Sequence, residues 1–380
     1  MNTLTSQQLW QRLRESALVE GTMPPPEANA TPWFVRTMLG IAGWIGALFL
    51  LGFVGLGFAF VMKSALAAMI VGGICCVAAW VIFNLARDND FGIQFGLAVS
   101  LAGQAMVIFG LFDAFGSERT VAWFGVSIFL ALLAVVVPNF LHRVLTSWGA
   151  VCALWFASSR LGIHVLVPAL AAAGCAMIWL HELRVLQQSA QAAIWRPIGH
   201  GLVLGMLQID AFNLLGHEFW PISGRDASAW LQLHAPWIGT ALLALVLIWV
   251  VTRLLDRQQI ALGCGAGVTA LGAAVLVAAL SFVAPGIGLA LLILLLGFAT
   301  GNKVLMGLGL LAMGGFVSHY YYQLHYTLLF KSAVLAISGV FLLSARLLLH
   351  RFFPDANAGR LNPGSVTEEK AVEIRENGNA

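Results

Sequence analysis

A chain of 380 residues with 60% hydrophobic side chains, 10% charged ones and a mean hydropathy of +0.88 has too little polar surface for a water-soluble globule. Its net charge of +3 is small and spread over loops, which excludes a nucleic-acid-binding surface. The apolar residues come in runs of about 20, the length that crosses a bilayer core about 30 Å thick, so the composition specifies an all-α polytopic transmembrane bundle.

In chain order, residues 5–19 read as a short amphipathic helix with Leu9, Leu13 and Ala17 on one stripe and Trp10 widening it. Thr5 or Ser6 is its candidate cap, and Met23-Pro24-Pro25-Pro26 ends it. Such a helix lies on the membrane surface, docks on a partner, or is a solvated leader. Glu15, Glu20 and Glu27 in this stretch are the wrong pattern for a cleavable signal peptide, so the first apolar run is expected to be the signal anchor. About twelve spans follow, at roughly 38–62, 65–85, 92–112, 121–141, 144–159, 162–180, 197–216, 235–252, 259–282, 285–301, 303–319 and 327–348. The expected organisation is a cytoplasmic leader and Pro-rich linker (1–30), a membrane domain (31–350) and a disordered cytoplasmic tail (351–380).

The basic residues test this threading. With the N-terminus inside, Lys63, Arg119, Arg160 and Arg225 face outward and Lys331 falls within a span. The other fifteen of the twenty Lys and Arg face inward, as the positive-inside rule requires. The fifth span, boxed between Arg143 and Arg160, is the weakest. Were it not to cross, the basic residues of the later inner loops and the tail would turn outward. An even span number with both termini cytoplasmic follows.

Gly92/Gly96, Gly201/Gly205 and Gly263/Gly267 have the small-xxx-small spacing of closely packed helices, within one chain or between copies. The five cysteines, at 75, 76, 152, 175 and 264, all lie in apolar runs without a CxxC, and read as buried thiols instead of a disulfide framework or metal site.

Two segments carry a family resemblance. The first is Pro32-Trp33-Phe34-Val35-Arg36 leading into LGIAGWIGALFLLGFVGLGF (39–58), and the second is SHYYYQLHYTLLFKSAVLAISGVFLLSAR (318–346). Together they resemble the domain of unknown function 4401 family of bacterial membrane proteins, over roughly residues 30–350. The resemblance implies an inner-membrane location and a possible heteromeric membrane-protein partner. It brings no catalytic residue with it.

Ionisable groups within a bilayer are costly, so each is a functional candidate. Asp210 is the one acid placed well inside a span, on a face with Asn213 and His217. It lies roughly 9 Å below the outer end of the seventh span, and Lys331 roughly 6 Å deep in the twelfth on the same side. The two form a candidate pair, against the alternatives that Lys331 snorkels and that Asp210 is hydrogen-bonded to neighbouring helices. His164 sits near a span end. His200 is about 15 Å from Asp210 along the axis, too far for a dyad, and reads as a hydrogen-bonded structural histidine. Gln94, Gln104 and Gln208 read as interhelical hydrogen-bond partners. All four tyrosines, Tyr320, Tyr321, Tyr322 and Tyr326, fall within seven residues and interleave with His319 and His325. They form an interfacial belt or, with Lys331, the mouth of a binding cavity. In the outer loop 217–234, no spacing supports metal binding by His217, Glu218 and His234.

No Walker loop, HExxH or GxSxG elbow occurs, so an intramembrane enzyme is the least supported of three function classes and no cofactor is expected. The sequence is that of a multi-pass membrane protein with no motif naming a reaction. The mechanistic expectation is a small-molecule or ion permease with an intramembrane polar site at Asp210, Asn213, Lys331 and the tyrosine–histidine segment. The alternative is a non-catalytic accessory or envelope assembly component acting with other membrane proteins. Oligomeric state is not legible.

Overall fold

The computed structural model describes residues 64–86, 90–117, 119–185, 189–215 and 229–323, with isolated helical positions at 10–11, 14–15, seven places between 38 and 52, and 343. Ten helices run through the described residues. They are α1 (Ala65–Leu85), α2 (Asp90–Phe115), α3 (Thr120–Val136), α4 (Phe140–Arg160), α5 (Leu166–Val185), α6 (Ser189–Leu215), α7 (Ala229–Arg257), α8 (Gly265–Val283), α9 (Ile287–Thr300) and α10 (Lys303–Gln323). Each overlays one predicted span, from the second to the eleventh. No strand occurs among the described residues. The chain divides into two compact units, Met1–Met313 and Gly314–Ala380.

Six of these helices are long and apolar enough to cross a membrane: α1, α2, α4, α7, α8 and α10. Helices α3 and α9 are apolar but shorter, and α5 contributes the apolar stretch Leu166–Leu180. Helix α6 has the length, 27 residues, but carries Arg196, His200, Gln208, Asp210 and Asn213 and falls outside that set. The chain is a multi-pass helical membrane protein.

Helix α1 shows why the bundle belongs in lipid. Its inward face is small, Ala68, Gly72, Cys76 and Ala79, and its outward face is large and apolar, Leu66, Ile70, Ile74 and Val77. A soluble helix does the reverse; lipid tails solvate leucine, and close backbone approach supplies the association. The partner face on α2 is equally small. A Cβ at Gly72 would lie 2.6 Å from the Gly103 carbonyl oxygen, and one at Gly103 2.6 Å from that of Gly72. Of the predicted glycine pairs, Gly201/Gly205 performs this role between α6 and α4, where a Cβ at Gly205 would meet Val151 Cγ1 at 2.9 Å. Gly96 does so against Ile82 and Phe83 of α1. Gly263/Gly267 does not: Gly263 lies in the turn before α8 with nothing within 4 Å, and Gly267 faces its own preceding turn. The Gly72–Gly103 contact escapes a search within single helices because its two members lie on different ones.

The main core joins α4, α5, α6, α7, α9 and the start of α10 around Trp155, Trp179, Met206, Val250 and Ile293. A smaller cluster packs Ala79, Phe83, Leu97 and Val137, and a third joins α3 to α4 through Val126, Leu130, Ala150 and Ala153. Of the five cysteines expected to be buried, Cys76 and Cys175 are, while Cys75 and Cys152 are half-buried. Cys264 is not: it is exposed at the N-cap of α8, its sulfur accepting from the Gly267 N–H at 3.4 Å.

Two predicted boundaries move for physical reasons. Arg143, expected in an inner loop, lies in the first turn of α4 and is buried at 7% exposure. Pro197, expected to begin a span, lies inside α6. One contact explains both. A proline has no N–H, so Pro197 leaves the Ala193 carbonyl without its helical donor. The Arg143 guanidinium supplies one at 2.7 Å, and also donates at 3.2 Å to Val135 O, an unsatisfied carbonyl in the last turn of α3. The cation stays buried because two orphaned carbonyls need it.

Candidate functional site

Polar side chains gather in two places, at opposite ends of α4. Near its N-terminus, Asn139 caps the helix by accepting the His142 N–H at 2.9 Å. The cap sets the fully buried His142 ring against α2. There His142 Nε2 lies 2.8 Å from Ser100 Oγ and 3.1 Å from Gln104 Nε2, and Gln104 Nε2 donates to Ser100 Oγ at 3.1 Å. Phe83 of α1 closes the cluster edge-on to the imidazole, at 5.9 Å between centroids. His142 Nδ1 has no hydrogen-bond partner among the described residues. Gln104 is thus an interhelical partner, as its sequence position suggests. Gln208 is another, accepting from Trp148 Nε1 of α4 at 2.6 Å.

Beyond the C-terminus of α4 lies a cavity of about 240 Å³. Five stretches of chain enclose it: the turn leading into α5 with His164, the outer part of α6 with Asp210 and Asn213, the first half of α7, the end of α8, and the corner opening α9. Asp210 and Asn213 are three residues apart, so one helix turn presents both to the cavity. Neither makes a hydrogen bond or ion pair among the described residues, so the expectation that neighbouring helices hold Asp210 finds no partner there. Prolines shape the walls. Pro236 lies inside α7, and Pro285-Gly286 turns α8 into α9, with Gly286 at φ 92°, a left-handed backbone that a Cβ would strain.

Two hydroxyls complete the lining. Thr240 donates to Pro236 O at 2.9 Å and Ser281 to Val277 O at 2.8 Å. Both escaped the sequence reading because a lone Thr or Ser in an apolar helix carries no signal; the Pro-xxx-Thr spacing at 236–240 is the trace they left. The remaining wall is aliphatic, including Leu243, Leu247 and Leu292.

His200 does not line this cavity. His200 is a structural histidine, its Nδ1 2.8 Å from Arg196 O and its ring edge-on to Trp179 at 5.1 Å. At the end of α10, His319 packs against Tyr320 at 5.5 Å and Tyr321 against Tyr322 at 5.6 Å, with Tyr322 exposed. Lys331, His325 and Tyr326 lie outside the described residues, as do His217 and Glu218. The pairing expected between Asp210 and Lys331 falls there too.

The chain belongs to the domain of unknown function 4401 family, whose model matches residues 32–352. Neither curated proteins nor solved structures give a match.

Proposed function

We propose that this member of the domain of unknown function 4401 family is a permease for a small molecule or ion, with its polar site inside the bilayer at Asp210 and Asn213. One observation carries the reading: a carboxylate with no partner among the described residues lines a cavity within an apolar bundle. An intramembrane acid held for packing alone would be hydrogen-bonded or replaced, since its burial is costly. One facing a cavity is placed to meet a solute or water.

The reading takes the chain to cross a bacterial inner membrane about twelve times, between a cytoplasmic leader (1–30) and tail (351–380). The cavity's composition supports that threading. The α4–α5 turn, the α8–α9 corner and the C-terminal part of α6 all line it. The twelve-span order requires these three to share the outer face. A helix-internal proline at 236 and the Pro285-Gly286 corner also border the site, where a transporter's moving elements would find hinges.

The test needs no known substrate. Leu243→Cys places a thiol on the apolar wall. Right-side-out and inverted vesicles are exposed to a membrane-impermeant thiol reagent, and modification at 243 is read by peptide mass spectrometry. A permease exchanging between outward- and inward-open states is modified from both faces. Modification from one face only would sink the permease reading and favour the accessory one.

A further inference from the structure

We infer that the Asp210 cavity binds a small organic cation, a protonated amine or quaternary ammonium carrying an apolar body. This rests on the reading of the cavity as a solute site and names the solute's chemistry.

Asp210 contributes a carboxylate. Thr240 and Ser281 have spent their hydroxyl protons on the carbonyls of Pro236 and Val277, so each has only oxygen lone pairs left for a further contact. Asn213 can serve either way. No lysine or arginine lines the cavity among the described residues, and His164 is the other titratable group there. Apart from the His164 imidazole and the two-way amide of Asn213, the polar side chains offer acceptors around one carboxylate, which favours a positively charged ligand whose N–H groups or polarised methyls face Asp210. The aliphatic remainder, Leu243, Leu247 and Leu292 among it, has no use for a hydrated inorganic ion and suits a hydrocarbon body. A volume of about 240 Å³ lies below the roughly 300–1,000 Å³ of drug-sized sites, so that body is small.

One feature of the wall points the other way. The first turn of α9 opens at the cavity after Gly286, which offers no side-chain cap, and its free N–H groups would attract an anion. The experiment sets the two against each other.

The full-length protein in lipid nanodiscs is challenged with butylammonium, benzylammonium and tetramethylammonium, and in parallel with butyrate and butanol. The readouts are the thermal midpoint of the unmodified protein and the modification rate of Leu243→Cys. At least one ammonium is expected to raise the midpoint and slow modification by fivefold or more, while butyrate and butanol do neither. Asp210→Asn is expected to abolish both effects. Stabilisation by butyrate, no effect from any ammonium on either readout, or an ammonium effect that survives Asp210→Asn would each overturn the inference. Access from both faces without an ammonium effect removes the ligand class and leaves the permease. An ammonium effect with access from one face does the reverse.

Discussion

The two polar sites at the ends of α4 contrast in how they treat a costly group. At the Ser100–Gln104–His142 cluster, polar atoms from two helices meet each other, with a phenylalanine closing one side. At the Asp210 cavity, the carboxylate and Asn213 meet no protein partner among the described residues, while the nearby hydroxyls spend their protons on their own helices. The first arrangement is how a membrane bundle fixes helix register. The second stabilises nothing in the structure as it stands. The difference teaches that polarity within a span need not mark a solute site: helix-to-helix pairing accounts for most of the first cluster and for none of the second.

Substitutions can break that contrast. The largest effect is expected at the cavity, with a stabilising sign. Asp210→Leu removes an unpaired acid from the bilayer where space is available. It should raise unfolding free energy by about 2–3 kcal/mol, the order of the insertion cost of a central aspartate. Reversible denaturation in mixed micelles measures it, and a destabilised variant would show that Asp210 holds the fold together.

At the other end, Arg143→Met leaves the Val135 and Ala193 carbonyls without their guanidinium donor. A loss of roughly 1–3 kcal/mol is expected in the same assay. Gln104→Leu should cost about 1 kcal/mol, typical of one interhelical hydrogen bond in a membrane. An unchanged midpoint would mean that the cluster sets no register.

The smallest effect is the most diagnostic. Pro197→Ala restores a backbone N–H for Ala193 O. In an Arg143→Met background it should therefore recover about 0.5–1 kcal/mol more than it contributes alone. Additive effects in that double-mutant cycle would dissociate the proline from the arginine.

Much of this was legible before any coordinates. Hydropathy placed α1–α10 because a bilayer demands a long uninterrupted apolar run and a helix is the structure that satisfies its own backbone there. Asp210 and Asn213 were legible as one face for the same reason, since a turn of helix fixes which residues are neighbours. Arg143 was misplaced because hydropathy prices a charge by its transfer cost, and cannot see that Pro197, fifty-four positions later, leaves a carbonyl to receive it. The His142 cluster was half visible: Gln104 read as an interhelical partner, yet nothing in the run around 142 named α2 as its neighbour.

The sequence by itself determined that this is a helical, multi-pass membrane protein of the domain of unknown function 4401 family, and which residues share each helix face. Those are local properties, set by a 1.5 Å rise and the cost of exposing backbone to lipid. Tertiary structure alone decided which faces meet, and therefore which polar groups find partners. Gln104 and the Nε2 side of His142 find partners because α2 and α4 approach there. Asp210 is left facing a cavity because the packing of α6, α7 and the Pro285-Gly286 corner leaves a space beside it.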